Sequence, residues 1–401
     1  MIVLLSCVLA LCSCGAKSGD ASDFNPTLNS WIFGDEAVAE TEKGLYFYCG
    51  AYLFYLDYAS MKADVLCFKP ECLHYDEPDP FKIQDCDAHF NGHAGGAGGI
   101  CLGAVDGRLY VLYNRLPETK PALISMDLDG SGRKIVHPDC SDIDSLLMRI
   151  HRGSLYYVKN TVGEDGNREY SIASMDLTAA NPKEEIIYTI SGKSAYVNNI
   201  LPYQDAVYFD GGYEEEAEEG PHFHSQLYRY DLKKKKTTAV SDCAEISGAY
   251  DGKVLFRNQG TFYCCDAKSG KITEEENGLN VFSKANPGWQ CHVDIVLPDC
   301  AILSCFDKED ANDFVTDWVV IDHTGRECTR IPEQGWSQKF HVVTEINSVR
   351  YLIAGNKSFD NDFVTAYKID DLLQGYASPQ YVLDPDENRN LDPGVNCYIE
   401  E

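Results

Sequence analysis

The sequence predicts an all-β protein, a β-propeller with seven blades of four antiparallel strands each; six or eight blades are the alternatives. The first observation is a tight-turn dipeptide before a strand-like apolar run, a combination that occurs seven times along the 401 residues. The second is spacing: after the first interval the turns recur every ~46–52 residues, near the period of propeller blades. The third is composition, because 25 Tyr and 17 Phe residues favour strands over helices.

The clearest repeat unit runs from Asp106 to Val136 and contains three successive strands. Asp106-Gly107 forms a two-residue turn of the kind that tight hairpins require, and the alternating run after it is typical of a strand. Asp129-Gly130 turns the chain again before the next short strand. With a fourth strand expected just upstream, the unit has the four-stranded meander of a propeller blade.

The same signals recur in chain order. The turn that opens the second strand of each unit is found at Lys43-Gly44, Asp106-Gly107, Arg152-Gly153, Gln204-Asp205, Asp251-Gly252, Pro298-Asp299 and Asn347-Ser348. A third strand that ends in Asp is found at Asp127, Asp176, Asp231, Asp266, Asp322 and Asp370. Such an Asp can accept a hydrogen bond from the backbone two residues on, which starts the next turn. No window of comparable length has apolar residues at helical spacing, so a helical fold is excluded.

The first residues of the chain carry an export signal. The apolar run from Ile2 to Leu11 is too short to span a bilayer but has the length of a secretory signal core. The residues Leu11-Cys12-Ser13-Cys14-Gly15 resemble the bacterial lipobox. The resemblance implies that residues 1–13 are a signal peptide and that Cys14 carries a lipid, which anchors the protein to the cell membrane on its extracytoplasmic face. An ordinary signal peptide or a truncated transmembrane anchor is the alternative.

The rest of the chain is predicted to be a tether and one domain. Residues 14–34 comprise the lipidated Cys14 and a flexible tether, because the stretch from Lys17 to Asn25 is rich in Ser, Gly, Asp and Ala. Residues 35–401 are expected to form a single propeller domain, and we expect a monomer. The 34 basic and 63 acidic residues give a net charge of -29, which repels phosphate backbones and excludes nucleic acid as a partner.

An insertion in the first unit, at about residues 67–99, is rich in Cys and His. Its pattern is Cys67-x4-Cys72-x-His74-x11-Cys86-x2-His89-x3-His93. Thiolate and imidazole are the ligands that Zn²⁺ prefers, so Cys67, Cys72, His74 and Cys86 are candidate ligands of a structural zinc ion, although the spacing matches no standard zinc finger. The alternative is that Cys67, Cys72 and Cys86, with or without Cys101, form disulfides, which an oxidising compartment outside the membrane permits. A third possibility is neither.

The repeat resembles that of a known group of proteins. The runs Asp127-Leu128-Asp129-Gly130-Ser131-Gly132-Arg133-Lys134 and Val207-Tyr208-Phe209-Asp210 resemble those of uncharacterised surface lipoproteins of Firmicutes-type bacteria. The propeller domain of that group is similar to the propeller of low-density-lipoprotein-receptor-related proteins. The stretch Cys67-Phe68-Lys69-Pro70-Glu71-Cys72-Leu73-His74 resembles one that recurs in the same lipoproteins. The resemblance implies a propeller over residues ~35–385 but assigns no activity.

Two classes of function remain open, since the sequence has no nucleophile elbow, phosphate-binding loop or zinc-protease motif and no catalytic residue can be named. The first is a binding or scaffolding module for a glycan, peptide or protein. The second is a carbohydrate-active hydrolase or lyase with catalytic residues at one mouth of the propeller channel. Acidic, His or Arg side chains that converge at a mouth favour the enzyme, whereas a mouth lined by Tyr and Asn favours binding.

Overall fold

A computed structural model describes residues 23–28, 38–49, 52–77, 79–83, 85–90, 102–114, 120–163, 166–217, 220–242, 244–276, 278–307, 317–331, 337–357 and 362–383. These residues form 27 strands, all paired in antiparallel sheets, and three short α-helices. The predicted class, an all-β propeller, is confirmed. The signal peptide, Cys14, Cys101 and His93 lie outside the described residues.

The first two sheets have four strands each and flank the Cys/His-rich insertion. The first contains β1 (Val38–Thr41), β2 (Gly44–Cys49), β3 (Tyr52–Asp57) and β4 (Lys62–Val65). The second contains β5 (Leu102–Val105), β6 (Arg108–Asn114), β7 (Pro121–Asp127) and β8 (Lys134–His137). Between the sheets lie a 3₁₀ turn, His74–Asp76, and α1 (Pro80–Ile83).

The third sheet has seven strands. They are β9 (Ile143–His151), β10 (Ser154–Val162), β11 (Arg168–Asp176), β12 (Glu184–Tyr203), β13 (Ala206–Ala217), β14 (Gly220–Asp231) and β15 (Lys236–Asp242). The 20-residue β12 pairs with β11 through its first part and with β13 through its second part. One strand therefore serves as the last strand of one four-stranded unit and the first strand of the next.

The last three sheets have four strands each. The first of them contains β16 (Ala244–Tyr250), β17 (Lys253–Asn258), β18 (Thr261–Asp266) and β19 (Ile272–Glu274), and is followed by α2 (Leu279–Ala285). The next contains β20 (Trp289–Val296), β21 (Cys300–Asp307), β22 (Asp317–Asp322) and β23 (Glu327–Ile331). The final one contains β24 (Ser337–Ile346), β25 (Val349–Lys357), β26 (Asp362–Lys368), α3 (Ile369–Leu373) and β27 (Gln380–Leu383).

When β12 is counted in both of its units, the described strands group into seven four-stranded units. Apolar side chains pack between successive sheets, and the last sheet packs against the first: the rings of Phe47 in β2 and Phe340 in β24 lie 5.3 Å apart. A closed ring of seven blades agrees with this grouping and stays a prediction.

The hairpin turns follow from the local sequence. Asp106 and Gly107 have φ angles of 47° and 74°, the left-handed values that a two-residue type I′ turn requires at both positions. Asn347 and Ser348 adopt the same conformation, with φ angles of 51° and 63°, although neither is Gly. Four of the seven predicted dipeptides are left-handed at both positions. In the first unit the predicted turn Lys43-Gly44 is displaced by one residue: Glu42 and Lys43 form the turn, and Gly44 is the first residue of β2.

Residues 23–28 lie against three different units. The Phe24 backbone N–H donates to His151 Nδ1 at 2.9 Å, and the Asn25 amide donates to Glu40 Oε2 at 2.8 Å and to the Val343 carbonyl at 3.1 Å. The Asp23 carboxylate pairs with Arg152. This part of the predicted tether is thus bonded to the propeller; the remainder of residues 14–34 lies outside the described residues. No helix in the described part of the chain is long and apolar enough to cross a membrane.

Candidate metal centre and channel mouth

The four predicted metal ligands converge at one point. One donor atom each of Cys67, Cys72, His74 and Cys86 lies within 4.8 Å of the other three. Cys67 and Cys86 are buried, and Cys72 and His74 are half-buried. We call these four residues the Cys/His cluster. Because their positions span 20 residues of irregular chain, the convergence results from the local turns of the insertion.

Successive short turns bring the donor atoms together. The Cys72 N–H donates to the Lys69 carbonyl at 3.1 Å, and the Cys86 N–H donates to the Ile83 carbonyl at 3.1 Å. Between these turns, His74 has a φ angle of 53°, a left-handed value that is uncommon for a residue other than Gly. The Tyr52 hydroxyl donates to the His74 carbonyl at 3.3 Å and holds this turn against β3.

One separation can be compared directly with zinc geometry. Cys86 Sγ and His74 Nδ1 lie 3.6 Å apart. With a Zn–S bond of about 2.3 Å and a Zn–N bond of about 2.0–2.1 Å, a thiolate sulfur and an imidazole nitrogen on one tetrahedral ion lie about 3.5–3.6 Å apart. This edge of the cluster therefore already has the length that a zinc tetrahedron requires.

The environment of the cluster favours neutral ligands in the absence of a cation. Burial raises the pKa of the Cys72 and Cys86 thiols, and the backbone N–H groups of His74 and Ala88, which face these two sulfurs, partly offset the effect. Burial lowers the pKa of His74, so that its imidazole is neutral at physiological pH. A divalent cation reverses this balance for the thiols, because it stabilises thiolates directly.

The disulfide alternative for this insertion stays a prediction. Cys67, Cys72 and Cys86 are all free thiols in the structure. Cys101, the fourth cysteine of the disulfide interpretation, lies outside the described residues. His89 does not belong to the cluster, because its ring packs on Tyr52 with centroids 5.2 Å apart and burial lowers its pKa to about 4.

The chain after Cys86 attaches the insertion to both neighbouring sheets. The Leu53 N–H in β3 donates to the Ala88 carbonyl at 2.8 Å, and the Tyr48 hydroxyl in β2 donates to the Phe90 carbonyl at 2.6 Å. From the second sheet, the Arg133 guanidinium lies 4.3 Å from the centre of the Phe90 ring and donates to the Asp87 carbonyl. The insertion is therefore wedged between the first two sheets.

A second candidate site is a cavity of about 800 Å³ beside residues 23–28. It is lined by β1, β5, β9 and β24, each the first strand of its sheet, together with Asp23, Phe24, Asn25 and Leu28. We call this the channel mouth. Its charged lining residues are Asp23, Glu40, Glu42, Asp106, Arg149 and Glu345. The sequence analysis missed this site, because its residues come from several units and form no motif.

Carboxylates and an Arg converge at the channel mouth, which is the arrangement that the sequence analysis assigns to an enzyme. Most of the inner groups, however, are bonded within the protein. Glu40 accepts from the Tyr58 hydroxyl at 3.1 Å through one oxygen and from Asn25 through the other. The buried Arg149 donates to the Met148 carbonyl at 2.7 Å. Glu42, Asp106 and Glu345 are exposed and form an acidic rim.

No family model and no curated protein matches the sequence. Among solved structures, the chain is similar to the acylaminoacyl peptidase of Pyrococcus horikoshii, with a TM-score of 0.49 and 10% identity over 90% of this chain and 53% of that chain, so it spans about half of the peptidase. It is also similar to the β-propeller domain of the Trilobed protease from Pyrococcus furiosus, with a TM-score of 0.48 and 8% identity over 91% of this chain and 99% of that one.

A third similar structure is the oligogalacturonate lyase of Vibrio parahaemolyticus, with a TM-score of 0.45 and 10% identity over 69% of this chain and 75% of that chain. At such identities the likeness concerns the fold alone, and it carries no argument about activity. The arrangement of this chain's own antiparallel sheets is that of a β-propeller. The chain's resemblance to bacterial surface lipoproteins stays a prediction.

Proposed function

We propose that the protein is a lipid-anchored, extracytoplasmic binding module whose propeller takes up its ligand at the channel mouth. The observation that supports this proposal is the cavity of about 800 Å³, which falls within the size range of ligand pockets. Four inner strands line it, so the walls are rigid parts of the sheets rather than loops. The lipid on Cys14 would hold this module at the membrane.

The charges at the channel mouth narrow the class of ligand. The exposed Glu42, Asp106 and Glu345 lie on its rim, and the whole chain carries a net charge of -29. The apolar part of the lining includes Phe24, Leu128 and Ile150. An acidic rim around a partly apolar floor attracts cations and repels anions. The ligand is therefore an uncharged glycan or a basic peptide, not a polyanion.

Calorimetric titration of the purified full chain with trilysine, triglutamate and maltotriose tests this proposal. We expect binding of trilysine or maltotriose and none of triglutamate. Glu345→Gln should weaken trilysine binding about tenfold, whereas Glu169→Gln, which removes an exposed charge on β11 outside the cavity, should not. Tight binding of triglutamate, or equal effects of the two substitutions, would overturn the assignment of the site.

The alternative function is a carbohydrate-active hydrolase or lyase, which the convergence of carboxylates and Arg149 at the channel mouth favours. Glu40 is a half-buried carboxylate of the lining that accepts hydrogen bonds from Asn25 and Tyr58, and it is the residue to test. Release of shorter sugars from an oligosaccharide by the wild-type chain, abolished in Glu40→Gln, would establish the enzyme. Binding without turnover supports the module.

A further inference from the structure

The donor set of the Cys/His cluster has the composition of a closed structural site. Three sulfurs and one imidazole nitrogen complete a tetrahedron, which leaves no position for water or substrate. Thiolate-rich tetrahedral sites select Zn²⁺ or iron–sulfur clusters, and a single site with one imidazole fits zinc. We propose that Cys67, Cys72, His74 and Cys86 bind one Zn²⁺ ion, and that this centre clamps the first two sheets of the propeller together.

Binding is balanced in charge and protons. Three thiols lose their protons to solvent, the neutral imidazole donates its lone pair, and the Zn²⁺ complex carries one net negative charge. The Lys69 ammonium lies beside the cluster, where it pairs with Asp87 Oδ1 at 2.8 Å. Its positive charge is also close enough to the sulfurs of Cys67 and Cys86 to interact with them. A local cation of this kind stabilises the anionic complex.

The clamp follows from where the ligands lie in the core. Cys67 and Cys86 belong to the same buried apolar cluster as Phe54 of the first sheet and Leu109 of the second. Phe90, four residues after Cys86, belongs to it as well. The ligands are thus not on an independent loop, and their positions are coupled to the packing of the propeller.

The turn between β7 and β8 adds a close contact from the second sheet. A Cβ atom at Gly130 would lie 2.9 Å from the Leu66 carbonyl oxygen, directly before the first ligand, Cys67. Together with the Arg133 contacts to Asp87 and Phe90, this turn covers both ends of the insertion. Fixing Cys67 to Cys86 through a metal ion therefore fixes the surface on which the second sheet packs.

Metal analysis tests the site. We expect the full chain, purified without chelator, to contain one equivalent of zinc, and cobalt substitution to give the charge-transfer bands of a tetrahedral thiolate site. Cys72→Ser should lower zinc affinity by more than about 100-fold. Substitution of a residue that only bonds to a ligand typically lowers metal affinity by less than this. His74→Cys, which keeps four ligands, should retain the metal.

Cys140→Ser is the matched control, because Cys140 is also a buried thiol beside an imidazole, with His137 Nδ1 at 3.8 Å, but is not part of a metal cluster in the described residues. It should leave the zinc content unchanged. Absence of zinc together with loss of free thiols at Cys67, Cys72 or Cys86 would overturn the site in favour of disulfides. Equal zinc loss in Cys72→Ser and Cys140→Ser would overturn it as well.

Hydrogen exchange tests the clamp separately. Removal of zinc by a chelator should raise amide exchange in β3, β6 and β7, and leave β20 to β23 unchanged. If the increase is confined to residues 67–90, the clamp is wrong even though the metal site stands. This test does not depend on the proposed function, because the zinc ligands and the residues that line the channel mouth are different.

Discussion

The Thr27 hydroxyl accepts a hydrogen bond from the Val343 N–H at 2.9 Å, and its own proton faces two acceptors, Asn25 Oδ1 at 2.9 Å and the Val343 carbonyl at 3.2 Å. Val343 lies on β24, an inner strand that has no partner strand on its channel side. The side chains of Thr27 and Asn25 thus take the place of the missing neighbour at this point. Because the carbonyl also accepts from Asn25, the N–H is the group that depends on Thr27 alone.

Thr27→Val should therefore destabilise the protein by about 1–3 kcal/mol, the cost of leaving a buried N–H without an acceptor. Val has nearly the shape of Thr, so packing is preserved and the change isolates the hydrogen bonds. Thr27→Ser keeps the hydroxyl and should lose less. Urea unfolding of the three proteins measures the difference; equal midpoints for the Val and Ser variants would show that the hydroxyl contributes nothing.

Asp210 on β13 gives a prediction about pH. Its side chain is buried, one oxygen accepts from the Ile246 N–H at 2.8 Å, and burial raises its pKa to about 8. The groups that face it are Asn198 and the half-buried Glu245, whose pKa burial also raises. Asp210 is therefore protonated in the folded protein at neutral pH.

The unfolded chain ionises Asp210 near its ordinary pKa of about 3.9, whereas the folded chain does not until about pH 8. Between these two pH values only the unfolded state releases the proton, so rising pH favours unfolding. The unfolding free energy therefore falls by at most about 1.4 kcal/mol for each pH unit. The gain in unfolding free energy of Asp210→Asn over the wild type should be larger at pH 7.5 than at pH 4.5. A stability difference that does not change with pH contradicts this assignment.

We expect Cys291 and Cys305 to form a disulfide when the protein is oxidised. They are directly opposite each other on β20 and β21, a placement within the Cα separation that disulfides span. Contact with the Cys291 thiol raises the pKa of Cys305. Treatment with oxidised glutathione at mildly alkaline pH should convert the two thiols into a disulfide, with release of two reduced glutathione molecules per bridge.

Mass spectrometry of peptides with and without reductant detects this bridge, and Cys291→Ser should abolish it. In the chain-entropy model the bridge stabilises the fold by up to about 3 kcal/mol. Cys67, Cys72 and Cys86 should stay reduced under the same treatment when zinc is bound. Oxidation of the Cys/His cluster before the Cys291–Cys305 pair would contradict the prediction.

The resemblance of Leu11 to Gly15 to a lipobox predicts that Cys14 is lipidated. Cys14→Ala should leave the signal peptide uncleaved, or release the protein from the membrane fraction, because the acceptor of the lipid is lost. Cys12→Ala, a matched change two residues away, should do neither. Membrane fractionation and the mass of the mature protein distinguish the variants. An unchanged mass and membrane association in Cys14→Ala would contradict lipidation.

The repeat could be predicted from sequence because it is encoded locally. Each hairpin turn is specified by adjacent residues, such as Asp251 and Gly252, whose φ angles of 41° and 74° are those the dipeptide favours. The four members of the Cys/His cluster were identified from residue type, within a short stretch. Their convergence required the structure, since the spacing matches no standard motif and a left-handed His74 cannot be inferred from it.

The channel mouth could not be predicted for the opposite reason. Phe24 bonds His151, 127 residues away, and Thr27 bonds Val343, 316 residues away. Contacts at such separations arise only when distant sheets have packed together, and no local pattern encodes them. The same holds for β12, where the sequence pattern marks the turn after Tyr203 but gives no sign that one strand continues through two units.

The continuous strand β12 limits how the chain can be rearranged. At the other boundaries between units, new termini could be opened in a connecting segment without cutting a strand, which is the usual requirement for circular permutation. Between the third and fourth units such a cut would fall within Glu184–Tyr203, whose first part pairs with β11 and whose second part pairs with β13. Any rearrangement that keeps β12 intact therefore has to move these two units as one block.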